Sequence, residues 1–88
     1  MYRVEISKKA AKDLPSLKAA NLWGKLLALL KILENNPYQN PPPFEHLRGK
    51  LSEYYSRRIN IQHRLVYKVD EVAKVVKVAS FWSHYEKL

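Results

Sequence analysis

The sequence predicts an α+β domain in which two N-terminal helices pack on one face of a small, twisted, mainly antiparallel sheet. Three observations predict this fold class. Apolar residues recur at helical spacing over residues 8–35, β-favouring segments occupy residues 2–6 and 54–81, and a proline-rich stretch separates the two regions. A chain of 88 residues has room for one compact core, so we expect residues 1–88 to form a single domain.

The first half of the chain is predicted to contain one strand and two helices. Residues 2–6 alternate as in a strand, and Ser7 is placed to cap a short helix that follows it. Pro15 should end or kink that helix, because its ring clashes with the preceding turn. Asn21 is expected to cap a second helix over residues 22–35. The apolar face of this helix comprises Leu22, Leu26, Leu29, Leu30 and Leu33, widened by Trp23, Leu27 and Ile32.

The second half is predicted to contain a series of strands after an extended linker over residues 38–44. The predicted strands are a short one at residues 46–47 and longer ones at residues 54–61, 63–69 and 72–81. Gly49 can adopt the unusual backbone angle that the first turn needs. Lys74 and Lys77 fall on opposite faces of a regular strand, which predicts a bulge or cover on both faces.

Alternation along the two middle strands divides their side chains between a helix-covered face and an open face. The residues expected to meet the helices are Tyr55, Ile59, Ile61, Leu65, Tyr67 and Val69. Those expected on the open face are Tyr54, Ser56, Arg58, Asn60, Arg64, Val66 and Lys68. The charges on the open face are all positive, which favours an RNA strand over solvent alone. Arg57 breaks the alternation, and we expect it near a strand edge or in an ion pair.

The overall charge also favours a polyanionic partner. Sixteen Lys and Arg residues against eight Asp and Glu residues give a net charge of +8 and a pI near 9.8. Either nucleic acid or an acidic protein would fit, and a merely soluble basic domain stays an alternative. The chain has no cysteine, Met1 is not followed by a signal sequence, and its longest apolar run is too short to cross a bilayer. We therefore expect a cytoplasmic protein without membrane association.

The residues capable of chemistry point to acid–base catalysis without a metal or cofactor. His46, His63 and His84 lack the spacing of metal ligands, and two glycines cannot form a glycine-rich phosphate loop. Glu45 is a candidate base, although its sequence position alone favours a surface carboxylate paired with an arginine. His84 is a candidate acid, although a lone late histidine is usually a surface residue, and Tyr85 could simply pack the C-terminus. The residues alone leave these alternatives open.

One longer pattern has a known counterpart. The segment from Glu45 to Tyr67 reads E-x-L-x3-L-S-x3-S-R-R-I-x3-H-R-L-V-Y, and the pair His84-Tyr85 follows it. This pattern resembles the YoeB/Txe branch of the RelE/ParE toxin superfamily, and the same order of elements covers nearly the whole chain. The resemblance implies a RelE-like fold of the microbial ribonuclease type. It also implies a ribosome-dependent endoribonuclease that cleaves messenger RNA in the A site without a metal.

The resemblance assigns roles to the ambiguous residues. Glu45 would be the general base that takes the 2′-hydroxyl proton, and His84 the general acid. Arg64 would stabilise the phosphate in the transition state, and Tyr85 would orient the substrate. The residues predicted to bind RNA are Arg48, Lys50, Tyr54, Arg58 and Lys68.

The resemblance also implies partners. They are the ribosome with its message and a cognate acidic antitoxin of the YefM/Axe kind, whose disordered C-terminal segment wraps the basic groove. Promoter DNA would be bound only through the antitoxin complex, and a homodimer is compatible with the resemblance. Two alternatives stay open: a ParE-like toxin that inhibits gyrase, and an RNA-binding domain without turnover. The combination of Glu, Arg and His argues against the gyrase alternative.

Overall fold

The structure is a computed structural model that describes residues 1–81. Its elements are β1 (Arg3–Ile6), α1 (Lys8–Ala11), α2 (Leu14–Ala19), α3 (Trp23–Asn35), β2 (Glu45–His46), a 3₁₀ turn (Gly49–Leu51), β3 (Tyr55–Arg58), β4 (Arg64–Asp70) and β5 (Val75–Ser80). Within the described residues, five strands form one sheet in the order β1-β5-β4-β3-β2. β1 runs parallel to β5, and the other neighbouring pairs are antiparallel. The predicted fold class, with N-terminal helices on a mainly antiparallel sheet, is confirmed.

The first predicted helix is divided into α1 and α2. Ser7 caps α1 as predicted, because its Oγ accepts a hydrogen bond from the Ala10 N–H at 3.0 Å. Pro15 lies in the first turn of α2, where its missing N–H removes no hydrogen bond since first-turn donors have no partner within a helix. The chain therefore starts a new helix at the proline, where an irregular step was expected.

Asn21 ends α2 and does not cap α3, so the predicted N-cap is wrong. Its backbone φ is 61°, in the left-handed region that asparagine tolerates better than most residues. The Leu22 N–H donates to the Leu17 carbonyl at 2.9 Å and closes the end of α2. The N-cap of α3 is Leu22, whose side chain makes no capping hydrogen bond.

The core lies between the helices and one face of the sheet. α3 contributes leucines and β4 and β5 contribute the facing side chains; the buried members include Leu26, Leu29, Leu33, Leu65, Tyr67, Val76 and Val78. Each such aliphatic side chain contributes about 1.5–3 kcal/mol through burial. Leu27, predicted to widen this stripe, is 49% exposed because it lies beyond the face that meets the sheet. Among residues 1–81, no helix is both long and apolar enough to cross a bilayer.

On the β2 side of the sheet, β2 is shifted by one residue and β3 is shorter than predicted. β2 is Glu45–His46, one residue earlier than expected, and β3 ends at Arg58. The chain turns after β3 because the Ile59 N–H donates to the His63 carbonyl at 2.8 Å. Ile61 falls in this turn and is 88% exposed, so the prediction that it meets the helices is wrong.

The last strand begins at Val75 instead of Val72, because a turn holds the residues before it. The Asp70 carboxylate accepts a hydrogen bond from the Ala73 N–H at 3.0 Å, and Lys74 has a φ of 56°. Lys74 therefore precedes β5, and no bulge separates it from Lys77 within the strand as predicted. A bulge does occur near the other end, where β5 advances two residues while β4 advances one. The register pairs there are Val66 with Ser80 and Tyr67 with Val78.

Arg57 lies on the helix-covered face of a central strand and is 1% exposed, so the expectation of a strand edge or an ion pair is wrong. Its guanidinium donates hydrogen bonds to the Tyr67 hydroxyl and to carbonyls of the loop between α3 and β2. No acidic side chain among residues 1–81 pairs with it. Burial raises the pKa of Tyr67 although the Arg57 charge opposes the shift, so the hydroxyl stays protonated and donates to the Pro37 carbonyl at 2.7 Å.

The sheet face away from the helices is only partly open, which corrects the prediction of an uncovered face. Ser56 and Val66, both assigned to that face, are 1% and 0% exposed. Arg58 is exposed, whereas Arg64 and Lys68 are half-buried. Arg58, Arg64 and Lys68 therefore carry the accessible positive charge of this face, around a centre in which Ser56 and Val66 are buried.

A polar cluster joins β1 to the β4–β5 turn. Glu71 accepts hydrogen bonds from the hydroxyls of Tyr2 and Tyr38 and from Lys74 Nζ; the Tyr2 and Lys74 contacts are both 2.9 Å. The hydrogen bond from Tyr38, followed by those from Lys74 and Tyr2, lowers the pKa of Glu71 to about 2. Burial and the same hydrogen bond raise the pKa of Tyr38.

This cluster predicts a specific acid sensitivity. A carboxylate whose pKa falls from 4.5 to about 2 on folding stabilises the fold above pH 4.5 and loses that effect as the pH drops toward 2. Glu71→Gln should therefore lower the urea midpoint of unfolding at pH 7. The difference in midpoint between the variant and the wild type should shrink as the pH falls from 4.5 toward about 2. Glu53→Gln, at another exposed glutamate, is the control. A difference in urea midpoint that stays constant from about pH 7 to about pH 2.5 would contradict the lowered pKa of Glu71.

Candidate functional site

A cleft of about 730 Å³ lies beside the β2–β3 edge of the sheet. The proline loop, the neighbouring strands and the first turn of α3 form its walls. Its polar and charged lining residues are Lys25, Glu45, Ser56, Arg58, Asn60 and Arg64, and its apolar lining residues are Pro42, Pro43, Phe44, Ile59 and Ile61. Three of the predicted site residues, Glu45, Arg58 and Arg64, thus share one cleft.

The strand register explains how these three side chains come together. Glu45 of β2 pairs with Ser56 of β3, and Arg58 of β3 pairs directly with Arg64 of β4. Since side chains two residues apart on a strand share a face, Ser56 and Arg58 both project toward the cleft. Arg64 Nη1 donates a hydrogen bond to Ser56 Oγ at 3.3 Å. Glu45 and Arg64 therefore flank the same buried serine from neighbouring strands.

The Glu45 carboxylate is exposed to solvent at the mouth of this cleft. No hydrogen bond or ion pair from another residue of the 1–81 range reaches it, so the alternative of a surface carboxylate paired with an arginine does not describe this part of the structure. A carboxylate that holds no internal partner can accept a proton from a bound molecule. Its position next to two arginines is what a general base beside an anion site requires.

The charge of the cleft is strongly positive. Lys25, Arg58 and Arg64 contribute three cations to its lining, against the single carboxylate of Glu45. Arginine presents a planar set of donors that can bind two oxygens of one phosphate. The apolar lining of Phe44 and the proline loop would suit the flat face of a base. The cleft can therefore hold a phosphodiester with one adjoining base.

A second, smaller cleft of about 460 Å³ is lined by Glu45, His46, Leu47, Arg48 and Leu51. Glu45 lines both clefts, so its side chain is shared between a cleft that contains Arg48 and one that contains Arg58 and Arg64. His46 is held in place by two contacts: its Nε2 lies 2.5 Å from the Ser52 carbonyl oxygen, and its ring stacks on Tyr55 at 4.8 Å between centroids.

The remaining predicted RNA-binding residues lie outside both clefts. Lys68 Nζ lies 5.6 Å from the centre of the Tyr54 ring, a cation–π contact that places these two residues together on the same sheet face. Lys50 is exposed in the 3₁₀ turn and lines neither cleft. His84 and Tyr85 lie outside the described residues, so their assigned roles stay predictions.

Sequence reasoning missed two residues that line the main cleft. Lys25 was given no role by the sequence analysis; it is exposed in the first turn of α3, and the packing of that helix against the sheet brings it to the cleft that Glu45 lines. Ser56 was assigned to the correct face but given no role. Its position two residues before Arg58 could have indicated that it lines the same cleft, because residues two apart on a strand share a face. Asn60 was also placed correctly, and its Oδ1 accepts hydrogen bonds from the N–H groups of Gln62 and His63 at 2.9 and 2.7 Å.

Among residues 1–81, no group of three or more His, Cys, Asp or Glu side chains is placed to bind a metal ion.

Comparisons with known proteins find relatives that match most of this chain. A family model described as "YoeB-like toxin of bacterial type II toxin-antitoxin system" matches residues 7–85. Toxin YoeB of Synechocystis sp. is 35% identical over 75 residues, which cover 85% of this chain and 78% of the relative. The YoeB dimer from Staphylococcus aureus superposes with a TM-score of 0.77 at 34% identity, covering 96% of this chain and 98% of that one. The heterotetrameric YoeB–YefM toxin–antitoxin complex from the same organism gives 0.78 at 34% identity, with 97% and 99% coverage.

Proposed function

Because the chain belongs to the YoeB-like toxins of bacterial type II toxin–antitoxin systems, we propose that it is an endoribonuclease that cleaves messenger RNA on the ribosome. The observation that supports this most directly is the cleft in which the Glu45 carboxylate, without a partner among residues 1–81, lies beside the cross-strand pair of Arg58 and Arg64. A base next to two phosphate-binding guanidinium groups is the arrangement that RNA cleavage by acid–base catalysis needs.

In the proposed reaction, Glu45 takes the proton of a ribose 2′-hydroxyl. The 2′-oxygen attacks the adjacent phosphorus, the bond to the 5′-oxygen breaks, and a 2′,3′-cyclic phosphate forms. His84 donates the proton that the departing 5′-oxygen needs, and Tyr85 orients the substrate. Arg64 stabilises the negative charge that gathers on the phosphate oxygens, supported by Arg58.

The two clefts that share Glu45 suggest how the message is held. Arg48 of one cleft and Arg58 of the other would bind neighbouring phosphates of the message, with the scissile linkage at the carboxylate that both clefts share. Lys50, Tyr54 and Lys68 lie farther out and would add attraction and stacking without touching the scissile linkage.

The partners proposed for this chain follow from its charge and its relatives. A net charge of +8 suits an acidic antitoxin, and a relative from Staphylococcus aureus has been solved with its antitoxin YefM. The same relative has been solved as a dimer, and we propose that a homodimer is accessible to this chain. The ribosome and its message would be the target in the cytoplasm, and promoter DNA would be reached through the antitoxin complex.

The test is a translating extract that receives the purified protein. Primer extension should map new message ends within codons occupied by stalled ribosomes, and antitoxin added beforehand should prevent them. Intact messages together with gyrase trapped on DNA would favour a ParE-like toxin. Intact messages together with retained RNA binding would favour a domain without turnover.

Ser56 provides a finer prediction within this proposal. Ser56→Ala should reduce cleavage about tenfold, because Arg64 loses the hydroxyl that directs it and the net value of such a hydrogen bond is about 1–1.5 kcal/mol. Ser56→Thr keeps the hydroxyl and should retain more activity. Ser52→Ala, at an exposed serine, is the control for single-turnover rates. Equal rates for wild type and Ser56→Ala would show that Arg64 does not depend on this contact.

A further inference from the structure

The position of Glu45 raises a physical problem, because the backbone around it can do little to hold it. β2 consists of Glu45 and His46 alone, and a strand of two residues makes too few hydrogen bonds to fix its own register. The loop before it includes Pro41, Pro42 and Pro43, which have no N–H to donate. These three residues therefore cannot anchor the loop through backbone N–H groups, and side-chain donors must do so: Gln39 Nε2 donates to the Pro41 carbonyl at 3.2 Å from within the loop.

One buried guanidinium supplies further donors. Arg57 Nη1 donates to the Pro42 carbonyl at 2.7 Å, and Nη2 donates to the carbonyls of Pro37 and Gln39 at 3.0 and 2.8 Å. Its Nε donates to the Tyr67 hydroxyl at 3.1 Å. A single side chain from β3 thus connects points at the beginning, middle and end of the loop.

The same guanidinium also contacts the residue that precedes Glu45. Its central carbon lies 4.8 Å from the centre of the Phe44 ring, and Phe44 meets Tyr55 edge-on at 5.7 Å between centroids. Phe44 is therefore fixed from two sides, directly before the carboxylate. β3 holds the loop with Arg57 on one face and lines the cleft with Ser56 and Arg58 on the other.

We propose that Arg57 is a positioning residue that holds the Glu45 carboxylate at the scissile linkage through the proline loop. The inference rests on the proposed nuclease function and adds to it a residue that does not touch RNA, since Arg57 is buried. It also accounts for the choice of arginine. A planar guanidinium carries five donors in a fixed arrangement and can reach several separate carbonyls, whereas an ammonium carries three donors at one point.

A double-mutant cycle tests whether Arg57 acts through Glu45. Arg57→Lys keeps the charge but not the bridging geometry, and it should slow single-turnover cleavage on programmed ribosomes about 10- to 100-fold through misplacement of the base. In a Glu45→Gln background, which has no base to place, the same substitution should change the residual rate less than about threefold. Binding to ribosomes that carry an uncleavable 2′-deoxy message should stay within about threefold in all variants.

Tyr67→Phe provides the second route if Arg57→Lys does not fold. This change removes only the hydroxyl that joins Arg57 to the Pro37 carbonyl, within a side chain of nearly the same shape. It should slow cleavage about three- to tenfold and again lose its effect in the Glu45→Gln background. Ser7→Ala is the control, because it also removes a hydroxyl that makes two hydrogen bonds, with the Ala10 N–H and the Ala79 carbonyl. Ser7 follows β1, at the opposite edge of the sheet from β2, so cleavage by this variant should equal that of the wild type.

The outcomes separate the two proposals. If Arg57→Lys or Tyr67→Phe slows cleavage by the same factor in the wild-type and the Glu45→Gln backgrounds, the residue supports the fold in general and the positioning role is wrong. Wild-type rates for both variants would also overturn it. If Glu45→Gln alone cleaves at the wild-type rate, Glu45 is not the base and the positioning role of Arg57 falls with it. If the wild-type protein itself leaves messages intact, the proposed nuclease function is wrong.

Discussion

Glutamine in place of Glu45 should slow message cleavage about 100- to 10,000-fold, because a neutral amide cannot take the proton of the 2′-hydroxyl. The substitution keeps the shape of an exposed side chain whose carboxylate contacts no other residue of the 1–81 range through a hydrogen bond or ion pair, so folding should be unaffected. Single-turnover cleavage on ribosomes programmed with a defined message measures the effect.

Antitoxin binding and thermal stability serve as controls for Glu45→Gln, since neither depends on a general base. Glu53→Gln tests whether the loss of another exposed carboxylate also slows message cleavage. A Glu45→Gln protein that still arrests growth with wild-type efficiency would remove the carboxylate from the mechanism.

Alanine in place of Arg64 should reduce cleavage about 100- to 1,000-fold, the loss typical of removing one preorganised donor to a developing oxyanion. Arg64 lines the main cleft and is directed by Ser56, so its charge acts at a defined point. Lys68→Ala should cost less than about fivefold, because Lys68 lies over Tyr54 outside that cleft and contributes only diffuse attraction.

The two alanine variants form a matched pair, since each removes one positive charge from the same strand. Rates measured at two salt concentrations distinguish their roles: added salt should weaken the contribution of Lys68 more than that of Arg64. Equal losses for the two variants at both concentrations would argue against a defined catalytic arginine.

Much of the cleft could be predicted from strand periodicity. Alternation alone places Arg58 and Arg64 on one face, and the structure pairs them directly across β3 and β4. The convergence of Glu45 with these arginines depends on β2 pairing with β3, which local propensity could not show. Lys25 enters the cleft only through the packing of α3 against the sheet, and no local pattern records that contact.

The failures have physical causes of the same kind. Alternation places Arg57 on the same face as Tyr55 and Ile59, but charged side chains usually face water, so its charge argued against the core. Its burial depends on loop carbonyls far away in sequence. Ile61 was treated as part of a strand, but Asn60 hydrogen-bonds the following N–H groups and forms a turn. Asn21 had the composition of an N-cap, yet its tolerance of a positive φ placed it at the end of the preceding helix.

The parallel pairing of β1 with β5 has a consequence for biosynthesis. Ser7 Oγ donates to the carbonyl of Ala79, 72 residues farther along the chain, and β5 also separates β1 from β4. A nascent polypeptide whose β5 is still inside the exit tunnel lacks the strand that lies between β1 and β4. Contacts between residues so far apart in sequence form late in folding. The ribosome that synthesises this chain must therefore release β5 before the native sheet can assemble.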